Sequence, residues 1–144
     1  MAQTVIRALA VTISNRAAAG IYEDRSGPVL AELLRSAGCA VDGPLVIPDG
    51  DAVAAALRDA VVAGYDVVVT SGGTGLTPAD LTPEMTRRVL DREIPGIAEA
   101  LRAAPAARSA SAMPGISLSS TRLVISGVRS AGVSPVPPLV TTTS

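Results

Sequence analysis

Ser71, Gly72, Gly73, Thr74 and Gly75 follow directly on the apolar run Val67–Thr70, and Asp80 stands five positions after the last of the three glycines. Without a Cβ, such residues let the chain take positive φ and come close to a ligand. Successive exposed N–H groups in a turn of this kind form an anion-binding concavity. Ser71, Thr74 and Thr77 add hydroxyl donors. The spacing matches neither G-x-x-x-x-G-K-[ST] nor G-x-G-x-x-G, so a different phosphate-bearing ligand is implied. A plainer reading stands beside this one: a tight strand-to-helix turn whose glycines serve geometry alone.

A second carboxylate, Asp49 in "IPDGD", ends another apolar run. If Asp49 and Asp80 face one cleft, they suit Mg²⁺, a hard ion that takes one or two carboxylates, keeps waters and binds substrate phosphates. Alternatively, Asp49 or Asp51 caps the helix beginning near Ala52, and Asp80 hydrogen-bonds the turn at Thr82. The rest of the composition narrows the chemistry. There is no His, and all twelve basic residues are Arg. Schiff-base chemistry, a Walker-type lysine, His general bases and His metal sites are therefore excluded. Neutralising a triphosphate would fall to a metal, backbone amides and Arg. The single cysteine, Cys39, excludes an intramolecular disulfide and multi-Cys metal sites. It reads as a small residue at a strand start.

The elements that must place these groups alternate along the first two-thirds. Val5 to Ile13 reads as a buried strand ending in "SNR". "SGPVLAELLRSAG" reads as a helix capped by Ser26 or Gly27 and stopped by Gly38, with Leu30, Leu33, Leu34 and Ala37 on its apolar face. "CAVDGPLVI" is a second strand with a possible break at Gly43–Pro44. A helix follows, its stripe made by Val53, Ala56, Leu57, Ala60 and Val61 and its end by Gly64. "YDVVVTS" is a third strand, apolar enough to be covered on both faces. "LTPEMTRRVL" starts a helix at cap Thr82, with Pro83 and Glu84 in its first turn, and "PGIAEALRAA" is another. This order predicts βαβ units and a mostly parallel sheet with helices on its faces. Ligands then gather beyond the carboxyl ends of the strands. Three segments share that rim: Ser14–Arg16, Pro48–Asp51 and Ser71–Asp80.

A length of 144 residues fits one domain. With 48% apolar residues, two Tyr and neither Phe nor Trp, its core must be built from Ala, Val, Leu and Ile. A net charge of −1 offers no field for nucleic acid or an anionic membrane. No leader pattern or long apolar run is evident, so a soluble cytoplasmic chain is expected. The last third differs: no acid follows Glu99, and Ser, Thr and Pro dominate. "TRLVISGV" alone reads as a strand there, and "SPVPPLVTTTS" as an extended or frayed tail.

"TSGGTGLTPADLTPE", taken with "LDREIPGIAEALR", "TISNRAAAGIYEDRSGPVLAELL" and "VIPDGD", resembles the MogA/MoaB family of molybdenum-cofactor biosynthesis proteins over about residues 4 to 104. Gephyrin and the related plant G-domains are similar. The resemblance implies a three-layer αβα sandwich that binds molybdopterin and assembles as a trimer or hexamer. It implies a molybdopterin adenylyltransferase that uses Mg²⁺ and ATP, releases pyrophosphate and precedes a molybdate-inserting MoeA-type protein. By position, Asp49 and Asp80 match the family's functional aspartates and would hold the metal. Ser71, Gly72, Gly73, Thr74 and Gly75 match its ligand-binding loop. The alternative is a MoaB-like protein that binds the pterin without turnover, or an inactive variant.

Residues 105–144 depart from that pattern, which continues through an "LSR"-like segment, a strand, an "LPG[SN]" loop and a final helix. "AMPGIS" resembles the loop but arrives early; otherwise "TRLVISGVRSAGV" takes its place, with Ser126–Gly127 for the Pro-Gly. A rearranged or frameshifted reading frame would produce such an end, as would divergence. Without the closing helix, strand surface would be left uncovered, at roughly 25 cal/mol per Å² of lost apolar burial.

Overall fold

The computed structural model describes residues 5–93 and 95–96, with the backbone of two further strands, Thr121–Ser126 and Leu139–Thr142. Strand β1 (Arg7–Ile13) lies between β2 (Ala40–Ile47) and β3 (Val67–Gly72) and is parallel to both. Beyond β3 the sheet continues with β5 (Thr121–Ser126), β6 (Leu139–Thr142) and β4 (Arg92–Glu93). β5 is antiparallel to β3 and to β6, and β6 is parallel to β4. Among the described strands only β5 therefore opposes the others, and the sheet is mostly parallel, as expected. "TRLVISGV" supplies β5, and the tail contributes extended residues as β6.

β1 is apolar at nearly every position because both its faces are covered. Leu9, Val11 and Ile13 point to one face. There they pack with Val68 of β3, with Val53, Ala54, Leu57 and Ala60 of helix α3 (Asp51–Ala63), and with Met85 of helix α4 (Thr82–Arg87). Ala8, Ala10 and Thr12 point to the other face, where helix α2 (Ser26–Ser36) lies. A Cβ on Gly27 of α2 would come 2.6 Å from Thr12 Oγ1 and 2.5 Å from Pro44 Cβ. Helices on both faces make three layers, αβα.

Three details differ from the sequence reading. The buried side of α2 is Gly27 and Ala31, while Leu33 is 48% exposed and Ala37 exposed. The helix comes close to β1 through its smallest residues, and the leucine stripe turns partly outward. Its start is fixed by Asp24, not by Ser26 or Gly27. Asp24 Oδ1 accepts from the amides of Ser26 and Gly27 at 3.1 and 3.0 Å, and Oδ2 accepts from the Thr12 hydroxyl at 2.8 Å. Gly43–Pro44 does not break β2. Asp42 pairs with Leu9 and Leu45 with Val11, so Gly43 and Pro44 together face Ala10 in a bulge, across a cis peptide bond. Pro95 and Gly96 are helical. The remainder of "PGIAEALRAA", and "AMPGIS", lie outside the described residues.

Candidate functional site

Ile13 is level with Ile47 on one side and with Gly72 on the other. The three parallel strands therefore end together, and the three rim segments leave the sheet side by side. Short bonds join them. The Ser14 amide donates to the Ile47 carbonyl at 2.9 Å, and the Asp49 amide donates to Asn15 Oδ1 at 2.9 Å. Asn15 opens a single helical turn, α1 (Asn15–Ala18), capped by the Ser14 hydroxyl, which accepts from the Ala17 amide at 3.2 Å. Sequence reasoning read this stretch only as a polar turn.

Gly72 and Gly73 turn the chain away from β3 at φ 99° and 66°. A Cβ on Gly72 would run into the Ile13 carbonyl oxygen. One on Gly73 would strike the Thr82 hydroxyl and lie 2.7 Å from Asp49 Oδ2. The missing side chains thus make room for neighbouring protein atoms, which is the geometric role weighed above. The same contacts bring the turn against Asp49. At Gly75 a Cβ would sit 2.5 Å from Asp80 Oδ2, so Asp80 lies against the other end of the turn. Ser71 and Thr74 are half-buried on it.

Asp49 does not cap α3, which follows it; no side chain caps that helix at Gly50. It serves the start of α4 instead, where unpaired N–H groups need acceptors. Its Oδ2 accepts from the Leu81 amide at 3.1 Å, and its Oδ1 accepts from the Thr82 hydroxyl at 3.0 Å and from the Gly50 amide at 2.7 Å. Thr82, expected as the α4 cap, is the first helical residue, and its hydroxyl is spent on Asp49. Asp80 does not reach Thr82. It closes the turn Thr77–Asp80: Oδ2 accepts from the Thr77 hydroxyl at 2.6 Å and the Thr77 amide at 3.0 Å, while its own amide donates to the Thr77 carbonyl at 3.0 Å. The Thr77 hydroxyl, then the Thr77 amide, with the Gly75 amide adding to them, hold the Asp80 carboxyl below its ordinary range. Asp80 is therefore an anion at neutral pH.

The oxygens gathered here are the donor type that a hard divalent cation takes. The donors are carboxylate and hydroxyl oxygens on one rim, and a carboxylate offers about four lone-pair directions, of which the described residues fill three on Asp49. Among the described residues no group of three or more His, Cys, Asp or Glu comes together. An ion held by Asp49 and Asp80 would complete its shell from water and phosphate, as Mg²⁺ does. No helix among the described residues is long and apolar enough to cross a membrane.

The fold is a mostly parallel αβα domain with a glycine turn and two carboxylates beyond the strand ends, the place where open α/β sheets as a class bind ligands. Residues 9–135 match the family described as "Probable molybdopterin binding domain", and the chain belongs to that family. It is 42% identical over 84 residues to the molybdopterin adenylyltransferase of Pyrococcus furiosus, covering 58% of this chain and 50% of that protein. To the Escherichia coli K12 molybdopterin adenylyltransferase it is 38% identical over 99 residues, covering 64% and 49%. The chain thus spans about half the length of these curated relatives. The crystal structure of a molybdopterin biosynthesis protein from Mycobacterium abscessus superposes with a TM-score of 0.68 at 38% identity, over 96% of this chain and 80% of that one.

Proposed function

We propose that this rim binds molybdopterin and MgATP and that the chain catalyses adenylyl transfer between them, as a cytoplasmic homo-oligomer that hands its product to a molybdate-inserting MoeA-type protein. The observation that carries the reading is the common ending of the three parallel strands, which sets the Gly72–Gly75 turn against both Asp49 and Asp80. Family membership and the names of the adenylyltransferase relatives support the choice of reaction.

In this reaction an oxygen of molybdopterin's terminal phosphate bonds to the α-phosphorus of ATP. The bond from that phosphorus to the β-bridging oxygen breaks, and pyrophosphate leaves. The attacking phosphate is already anionic, so a chain without His or Lys needs no general base. Ser71 to Gly75 orient the pterin phosphate through hydroxyls and amides. Asp49 and Asp80 hold Mg²⁺, which when bound neutralises charge on the triphosphate. The protein's work is positioning and charge stabilisation.

The test is adenylyl transfer from ATP to molybdopterin, with pyrophosphate release followed for the parent chain and Asp80→Ala. Loss of transfer in the variant is expected; transfer unaffected by the substitution removes the metal role. A second reading, a pterin-binding protein without turnover, draws on the departure of the sequence from the family pattern after Glu99. Pterin binding with no pyrophosphate release in the parent chain would select it.

A further inference from the structure

Among the described residues Asp49 takes three hydrogen bonds on its carboxylate, and two of the donors are backbone amides, of Gly50 and Leu81. The Thr82 hydroxyl, at 3.0 Å from Oδ1, is the one side-chain donor in the set. Thr82 is completely buried, although it sits where α4 meets the rim. A buried hydroxyl needs a partner, and here that partner is an anion, which makes the bond stronger than a neutral one. Gly73 completes the arrangement, since any side chain there would occupy the place where the Thr82 hydroxyl and Asp49 Oδ2 meet the turn.

We infer that Thr82 is a positioning residue for Asp49: its hydroxyl fixes the carboxylate rotamer so that the remaining lone pair of Asp49 faces the space beside the glycine turn. The inference rests on the reading of Asp49 as a ligand of nucleotide-bound Mg²⁺. It adds that the geometry of this ligand is set by a residue 33 positions away that never touches substrate. Groups that orient a metal ligand typically change metal affinity or activity 10–100-fold when removed.

The experiment uses the full 144-residue chain and Mn²⁺–ATP as the probe, with bound Mn²⁺ followed by electron paramagnetic resonance and urea midpoints measured in parallel. Thr82→Val keeps the shape and removes the hydroxyl, Thr82→Ala removes it without branching, and Thr82→Ser keeps it. Asp49→Asn tests the underlying reading. The expected result is near-complete loss of binding in Asp49→Asn. Binding should weaken at least ~10-fold in Thr82→Val and Thr82→Ala and stay within ~2-fold of the parent in Thr82→Ser. Parent-like binding in Thr82→Val or Thr82→Ala alongside loss in Asp49→Asn overturns the inference and leaves the Asp49 reading intact. Equal weakening in all three Thr82 variants also overturns it, because the hydroxyl would not be the cause. Unchanged binding in Asp49→Asn overturns the reading and the inference together. If Thr82→Val does not fold, Thr82→Ala carries the comparison.

Discussion

Replacing Gly72 by alanine tests how tightly the sheet and the rim are joined. Gly72 sits at φ 99°, level with Ile13 in the pairing of β1 and β3. An added Cβ would overlap the Ile13 carbonyl oxygen and lie 3.1 Å from its carbonyl carbon. Two costs combine. Holding an L-residue in that backbone region costs about 1–3 kcal/mol. Forcing a methyl against backbone, which cannot rotate away as a side chain can, adds about 1–3 kcal/mol. The total, roughly 2–6 kcal/mol, is a large part of the ~5–15 kcal/mol that stabilises an ordinary domain. Gly38 provides the control. It sits at φ 91° with none of the described residues within 4 Å of an added Cβ, so Gly38→Ala carries only the backbone cost. Urea unfolding of both variants, read as a shift in midpoint at unchanged slope, gives the two values. The Gly72 variant should be the less stable by about 1–3 kcal/mol. Equal destabilisation of the two would show that the close approach of β1 and β3 at their carboxyl ends is not a constraint, and the account of the rim would fail with it.

Asp24→Ala removes the acceptor at the start of α2 and orphans the buried Thr12 hydroxyl, so urea unfolding should show a loss of about 2–4 kcal/mol. Leu57→Ala opens the centre of the core and should cost about 2–5 kcal/mol by the same measurement. Asp80 titrates below its ordinary 3.8 in the folded chain, so its contribution is complete above that value and is lost as pH falls through the lower, folded value. A carbon-13 NMR titration should place the Asp80 midpoint below 3.8, and Thr77→Val should move it upward. The Tyr65 hydroxyl donates to Asp42 Oδ2 at 2.5 Å, and that bond, with burial and the Asp42 charge, raises its pKa above 10.0. Absorbance at 295 nm should show one tyrosine ionising above that value, and Asp42→Asn should lower it.

The sequence made the rim legible because its signals are local. Apolar runs, helix stops at Gly38 and Gly64, and the bunching of Ser, Gly, Thr and Asp after a strand each depend on neighbours within a few residues. The α3 stripe was close to the observed core for the same reason, with Ala54 buried where Ala56 was expected. What escaped was partnership over distance. Asp49 looked like a cap for the helix that follows it, but it serves α4, with the Leu81 amide 32 residues on. Thr82 carried the pattern of a cap and turned out to spend its hydroxyl on that same carboxylate. The α2 face was misjudged because hydrophobicity ranks Leu33 above Gly27, whereas close packing against Thr12 and Pro44 selects the smaller residue. The opposed direction of β5 depends on how the chain returns to the sheet, which periodicity does not encode.

Asp49 also ties the loop after β1 to the loop after β2 and to the first residues of α4. Its bonds therefore fix these three parts of the rim against one another in the folded chain. If the rim binds a phosphate as proposed, capture would lose little further chain entropy and should bring small changes in loop mobility. The same stiffness makes the rim vulnerable as a unit, since loosening one strut frees three segments at once.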